Sequence, residues 1–340
     1  MLLTRRAFAL SAAALAAAPA LAQPRGRPVV IAHRGASGER PEHTLMAYRL
    51  AVAQGCDFIE PDLVPTRDGH LVARHENEIG GTTDVASRPE FAARKATKTI
   101  DGEPVTGWFT EDFTLAELKT LRARERLPQL RPASARFDGQ ETIPTFQEVV
   151  DLAKAESRRT GRTIGVYPEM KHPAYFRGLG LPLEGRVADA LKANGLDSPT
   201  AAVFVQCFEV EPLKRFGELS RARRVMLVSD GPAPVDVKTP EGLKAIAAFA
   251  EGLGPEWPLV VPVVDGALGV PTPLVRDAHA AGLAVHPWTV RAENHFLPAS
   301  LRRAGGPAGH GDATAVLKAL YAAGVDGVFS DFPGLAVQAR

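Results

Sequence analysis

The segment Ile31-Ala-His-Arg-Gly-Ala-Ser-Gly-Glu-Arg-Pro-Glu-His-Thr-Leu45 places His33 and Arg34 where a short apolar run, Val29 to Ala32, ends in a glycine turn. A buried strand ending this way aims an acid–base group and a fixed cation into whatever lies above its tip. Glu60-Pro-Asp62 follows, and then His75. Glu60 and Asp62 are two apart on an expected strand, so their side chains share a face. Glu169 and Lys171 repeat that spacing at the end of Ile164-Gly-Val-Tyr-Pro-Glu-Met-Lys171. Same-face buried carboxylates repel one another, and burying either one unpaired is costly. A divalent cation relieves both problems, and an all-oxygen set of three carboxylates favours a hard ion, Ca²⁺ or Mg²⁺, over zinc. The alternative for the same residues is a salt-bridge network with Arg34, Lys171 and Arg74.

His33 and His75 each fall at a strand end near these acids. An unperturbed imidazole titrates near pH ~6.5, so one neutral and one protonated member can serve as base and acid. Arg34 and Lys171 supply fixed positive charge suited to a phosphate oxygen, or else simply neutralise the carboxylates. Taken together, the residue types suit metal-assisted attack on a phosphate ester. Phe208 and Trp288, near two further strand ends, are either pocket walls or core. Nothing in the spacing of His172 or His286 assigns them a role.

Short apolar runs alternate with amphipathic or alanine-rich stretches along the chain, a pattern that argues for a parallel sheet. The expected strands are Pro28–Ala32, Asp57–Leu63, Leu71–Arg74, Thr163–Glu169, Ala202–Gln206, Arg224–Val228, Leu283–His286 and Asp326–Ser330. Expected helices include His43–Gln54, Leu183–Asn194, Pro212–Leu219, Pro240–Leu253, Pro273–Ala281 and Ala313–Ala323. Eight strands make a closed (β/α)₈ TIM-type barrel the leading α/β architecture, ahead of an open doubly wound sheet. Only Val64 to His70 joins the second and third runs, too short for a parallel crossover, and Asp68-Gly69 is a hairpin signal. The third run therefore folds back antiparallel and brings His75 level with Glu60 and Asp62. Residues 80–161 are expected to form a small helical insertion after that strand, with helices over Thr114–Arg124 and Thr145–Arg159 capped by Thr114 and Thr145. Gly252–Leu268, punctuated by Gly-Pro and Trp-Pro, is expected to be an ordered loop.

The first 22 residues stand apart. Thr4-Arg-Arg-Ala-Phe-Ala-Leu10 opens an alanine-rich apolar stretch ending at Ala20-Leu-Ala22, which has the form of a twin-arginine export signal with a small-residue cleavage site. Residues 23–340 are then one barrel domain delivered to the periplasm. The chain has a net charge of +1, falling to about −1 without Arg5 and Arg6, and so carries no basic footprint for nucleic acid. No apolar run after residue 22 is long enough for stable membrane insertion. Cys56 and Cys207, at opposite ends of the expected barrel, are expected to be buried rather than bridged.

The chain also resembles the glycerophosphodiester phosphodiesterases. The resemblance rests on His33-Arg-Gly35, Pro41-Glu-His-Thr-Leu45, Glu60-Pro-Asp62, Thr66-Arg-Asp-Gly69, His75, Thr82-Thr-Asp84, Tyr167-Pro-Glu-Met-Lys171, Val205-Gln-Cys-Phe208, His286-Pro-Trp-Thr-Val290 and Asp326-Gly-Val-Phe-Ser-Asp-Phe-Pro333. Its long insertion and Pro-Glu-His-Thr-Leu variant are similar to the periplasmic, calcium-dependent branch. The resemblance implies one divalent cation, Ca²⁺ ahead of Mg²⁺, on Glu60, Asp62 and Glu169, with His33 and His75 as the acid–base pair. It further implies phosphate binding by Arg34 and Lys171, glycerol near Phe208 and Trp288, and a small-molecule glycerophosphodiester as substrate. Two positions depart from the wider family: Glu76 follows His75 where many members carry aspartate, and His43 replaces an asparagine. Rival readings are a phospholipase acting on intact lipids and a non-catalytic binding protein for phosphate esters.

Overall fold

A computed structural model describes residues 26–231 and 235–340, so the expected export signal lies outside the described residues. Eight parallel segments form the barrel wall. The first is β1 (Val29–His33), and the second is β2 (Phe58–Glu60) continued past Pro61 as β3 (Asp62–Pro65). β4 (Leu71–Ala73) returns antiparallel on β3, as the short Asp68-Gly69 connection requires. A hairpin, β5 (Ala96–Ile100) and β6 (Glu103–Gly107), belongs to the insertion. The third wall segment is β7 (Gly165–Val166) continued past Pro168 as β8 (Glu169–Met170). β9 (Phe204–Cys207), β10 (Arg223–Val228) and β11 (Gly252–Pro255) follow. After a small ribbon, β12 (Val263–Val264) and β13 (Ala267–Leu268), come β14 (Ala284–Val285) and β15 (Gly327–Ser330). Proline lacks the N–H that a sheet ladder needs, which accounts for the breaks at Pro61 and Pro168. β15 pairs with β1, and the ring closes where Asp326 N donates to Val285 O (2.9 Å) and Phe329 N to Pro287 O (2.9 Å).

The two-residue period of the strands decides what points inward. Ile31, Phe58, Tyr167, Phe204, Val225 and Phe329 form one buried cluster that plugs the barrel. Two residues further along the same strands stand His33, Glu60, Glu169, Gln206, Leu227 and Asp331. The wall thus carries an apolar layer with a chemically able layer directly above it, at the C-terminal ends where barrel active sites form.

The helices are α1 (Leu45–Ala53), α2 (Leu115–Leu118), α3 (Phe146–Thr160), α4 (Pro173–Gly178), α5 (Leu183–Ala193), α6 (Val210–Leu219), α7 (Pro240–Ala247), α8 (Leu274–Ala280), α9 (Ala313–Ala322) and α10 (Pro333–Ala339). Thr114 and Thr145 cap α2 and α3 in full capping boxes with Glu117 and Glu148. The insertion nevertheless differs from the expected pair of helices. α3 packs on α1, β4 and β7, which makes it a barrel helix, and α2 is a single turn. The regular element of the insertion is the β5–β6 hairpin, turned at Asp101-Gly102 with both residues at positive φ (50° and 89°), the two-residue geometry that Asp-Gly favours.

The strand count was eight in expectation and is eight in the wall, but one member differs. Leu71–Arg74 is the extra antiparallel strand, and β11 is the wall strand the pattern hides. A Cβ on Gly254 would sit 2.5 Å from Leu227 Cδ2, and one on Gly252 3.0 Å from Val225 Cγ2. Those inward positions are empty because neighbours fill the barrel, so β11 shows no β-branched alternation. It was instead absorbed into an over-long helix (α7 stops at Ala247) and into the supposed loop Gly252–Leu268. Cys56 and Cys207 are buried and unbridged.

Candidate active site

The turn after β1 is built for close approach. Arg34 (φ 57°) and Gly35 (φ 86°) are left-handed, and a Cβ on Gly35 would meet Ala47 and the Tyr48 backbone at 2.7–2.9 Å. This bend points the Arg34 backbone N–H at Glu60 Oε2 (2.7 Å) and its guanidinium at Asp62 Oδ2 (3.3 Å) and Glu42 Oε2 (3.1 Å).

Glu60, Asp62 and Glu169 converge, each offering an oxygen within 4.8 Å of the others, and all three are buried. Lys171 Nζ approaches Glu169 Oε1 (2.7 Å) and Asp62 Oδ1 (3.4 Å). Arg74 does not join them; its guanidinium is spent on backbone carbonyls of Ala73, Thr82 and His43. Three acids therefore face two cations, one of which is shared with Glu42. The imbalance shows in their protonation. Burial, followed by repulsion from Asp62 and Glu169, holds the Glu60 carboxyl well above its ordinary value. Burial raises Glu169 to about 8. Asp62 stays well below its usual value because Lys171, His75, His43 and Arg34 outweigh its burial. Asp62 Oδ1 is buried and accepts no hydrogen bond. Two carboxyls forced toward neutrality beside an orphaned anionic oxygen fit a hard divalent cation, as the residue types suggested.

His43 explains its own departure from asparagine. It is buried at φ 54°, in a left-handed conformation that Asn and His both visit more than most residues. Its Nε2 donates to Asp62 Oδ2 (2.9 Å), and its Nδ1 lies 2.8 Å from the Tyr48 hydroxyl.

The two candidate acid–base histidines are mounted alike. His33 Nδ1 donates to Asp331 Oδ1 (2.6 Å), and His75 Nδ1 donates to Glu76. Burial, reinforced by Arg34, lowers His33 to about 4; burial, then Arg34 and Lys171, lowers His75 to about 3. The expectation of one protonated member at neutral pH is corrected: in the substrate-free site both rings are neutral and present Nε2 as a free base.

The groups that fix these carboxylates were not singled out from the sequence. Arg126 grips Glu76 (Nη2–Oε2 2.6 Å) and Glu42 (Nη2–Oε1 2.7 Å), and Arg131 bridges Asp331 and Glu293. Both arginines come from the aperiodic Pro/Arg/Gly-rich part of the insertion, where no hydrophobic period could mark them. Asp331 did stand within the motif Ser-Asp-Phe-Pro, which was the one available signal. Phe208 and Trp288 meet edge to face (5.6 Å between ring centroids) and wall the cavity above the acids. His286 is a core residue whose Nδ1 meets the Tyr167 hydroxyl at 2.8 Å.

A closed barrel with an acidic triad, two carboxylate-mounted imidazoles and two cations at its C-terminal mouth defines the class: a barrel enzyme built around a phosphate ester. The chain belongs to the glycerophosphoryl diester phosphodiesterase family, whose pattern it matches over residues 33–335. It is 34% identical over 328 residues to the glycerophosphodiester phosphodiesterase GDPD6 of Arabidopsis thaliana, covering 91% of this chain and 84% of that one. It is 30% identical over 344 residues to the glycerophosphodiester phosphodiesterase of Haemophilus influenzae, covering 91% and 89%. The fold is shared with an Oleispira antarctica phosphodiesterase solved in complex with the product sn-glycerol-3-phosphate (TM-score 0.60, 24% identity, 92% of this chain and 96% of that one). It is also shared with a glycerophosphodiester phosphodiesterase from Agrobacterium tumefaciens (TM-score 0.61, 19% identity, 92% and 100%).

Proposed function

We propose that this protein hydrolyses glycerophosphodiesters to sn-glycerol 3-phosphate and an alcohol, with a divalent cation on Glu60, Asp62 and Glu169 and with His33 and His75 moving the protons. The single observation that carries the reading is the convergence of three under-neutralised carboxylates with two neutral, carboxylate-mounted imidazoles around Arg34 and Lys171. A cation bound there supplies polarisation of a phosphate oxygen and a lowered pKa for a hydroxyl or water. Arg34 and Lys171 hold the remaining phosphate charge. One imidazole takes the nucleophile's proton at Nε2. The other must carry a proton to the departing alcohol, and the incoming phosphate anion raises its pKa enough to load it.

The test couples released glycerol 3-phosphate to a dehydrogenase, with glycerophosphocholine as substrate, after chelation and again with Ca²⁺ or Mg²⁺ restored. Turnover that vanishes on chelation and returns with one ion supports the reading, Ca²⁺ being the expected ion. Absence of turnover on every glycerophosphodiester under both ions would overturn it.

Arg126 acts here through others. Arg126→Ala frees both Glu76 and Glu42, so His75 and Arg34 lose their fixed aim together. The expected result is a kcat lowered by ~10–100-fold, the scale for partners that orient site ligands, with KM little changed and partial rescue by Arg126→Lys. A KM effect alone would count against a positioning role.

The N-terminal Arg5-Arg6 segment leads us to propose export to the periplasm by the twin-arginine route. Cell fractionation of the Arg5→Lys, Arg6→Lys variant tests it; an unchanged periplasmic share would refute it.

A further inference from the structure

The central cavity, about 80 Å³, opens sideways into a larger one of about 390 Å³ with which it shares His75, Glu169, Lys171, Phe208 and Trp288. The larger cavity is completed by Asp101 at the tip of the β5–β6 hairpin, by His172 just past β8, and by Glu209 at the start of α6. A substituent on a phosphate held at Arg34 and Lys171 has this cavity as a direct exit on the His75 side.

Its charges are unevenly spent. Glu76 is taken by Arg126, while Glu169 belongs to the triad and to Lys171. Asp101 meets only the imidazole of His172 (Oδ2 to Nδ1, 2.7 Å). Glu209 accepts from the Ala174 backbone N–H (3.2 Å) and, among the described residues, pairs with no lysine or arginine. Burial, with Asp101 adding to it, holds the Glu209 carboxyl above its ordinary value, a condition a cation would relieve. Between these acids and the phosphate cradle lies Phe208, a large apolar side chain left 38% exposed. The cations nearby are committed: Lys171, 5.7 Å from the centre of the Phe208 ring, is aimed at Asp62 and Glu169. A second side cavity of about 470 Å³, reached past Trp288 and Thr289, carries the opposite sign through Arg291, His295 and Arg302.

We propose that the cavity between Phe208, Asp101 and Glu209 is the alcohol subsite, and that it selects glycerophosphodiesters whose alcohol is a cationic amino alcohol. This rests on the function proposed above and goes further by assigning headgroup choice to two acids that touch none of the groups placed in the chemistry. The ring face receives the alkylated or protonated nitrogen, and the two carboxylates supply long-range attraction. The oppositely charged cavity beyond Trp288 disfavours the reversed orientation. Asp101 ties this selectivity to the insertion, since the hairpin turn alone brings it to the barrel mouth.

The experiment compares kcat/KM for glycerophosphocholine and for glycerophosphoglycerol, whose alcohol is neutral, in the parent protein and in Asp101→Asn, Glu209→Gln and the double variant. Asparagine tolerates the left-handed turn at position 101, so that single variant remains readable if position 209 proves sensitive. The parent should favour the choline ester, and the double variant should lose about tenfold on that ester alone, the sum of one cation–π and two weakly screened charge contacts. The preference should also shrink as salt is raised. A selectivity ratio unmoved by the double variant, with both esters still turned over, overturns the subsite and leaves the function standing. Equal loss on both esters overturns it as well. Failure of the parent on both esters removes the function, and the subsite falls with it.

Discussion

His33→Ala and His75→Ala are each expected to lower kcat by ~10²–10⁴, the usual range for a positioned acid or base, while leaving the fold in place. The mounting of each ring explains why the fold survives. Asp331 loses one donor in His33→Ala but keeps Arg131 and Arg291 (Nε–Oδ2 3.0 Å), and Glu76 keeps Arg126 in His75→Ala. No buried carboxylate is stranded, so the stability cost should stay near ~1 kcal/mol, that of one lost hydrogen bond. The double variant should be little worse than either single one, because groups that pass one proton along act as a unit. Initial rates with saturating glycerophosphocholine, read beside thermal melting, check both halves. A variant retaining more than half of the parent rate would remove that histidine from the proton path.

The catalytic layer was legible from the sequence because strands have a period of two. Ile31 to His33, Phe58 to Glu60 to Asp62, and Tyr167 to Glu169 to Lys171 each step from the apolar plug to the site along one inward face. That alternation is the same local signal that reveals the strand. The hairpin return of β4 was legible for a different reason: chain length alone forbids a parallel crossover between Val64 and His70. Two kinds of feature were not legible. β11 hides because its inward positions are glycines, required by side chains of a neighbouring strand that is distant in sequence. The supports of the histidines hide because Arg126 and Arg131 sit in an irregular segment, where only the folded chain shows which carboxylate an arginine meets. The protonation of His33 and His75 was misjudged for a related reason, since burial among Arg34 and Lys171 is a tertiary fact.

Glu60→Gln should separate activity from stability in opposite directions. In the chelated parent, Glu169 titrates at about 8 and Glu60 well above its ordinary 4.5, so folding takes up protons at these sites. A carboxyl with a raised folded pKa contributes stability that is complete below its unfolded value and is lost as pH climbs through the folded one. Thermal stability of the chelated protein should therefore fall between about pH 4.5 and 8 on account of this pair, and added Ca²⁺ should restore it by stabilising the charged forms. Glu60→Gln removes one of the crowded acids while keeping an oxygen of similar reach. The chelated variant should melt higher than the chelated parent at pH 8, by an amount equivalent to ~1–3 kcal/mol of relieved burial and repulsion. It should gain less from Ca²⁺ and turn over substrate at least ~10²-fold more slowly, since a ligand and the Arg34 backbone anchor are both altered. Chelated parent protein whose melting temperature is flat from pH 5 to 8 and indifferent to Ca²⁺ would mean that Arg34 and Lys171 already neutralise the triad, and the cation site would be withdrawn.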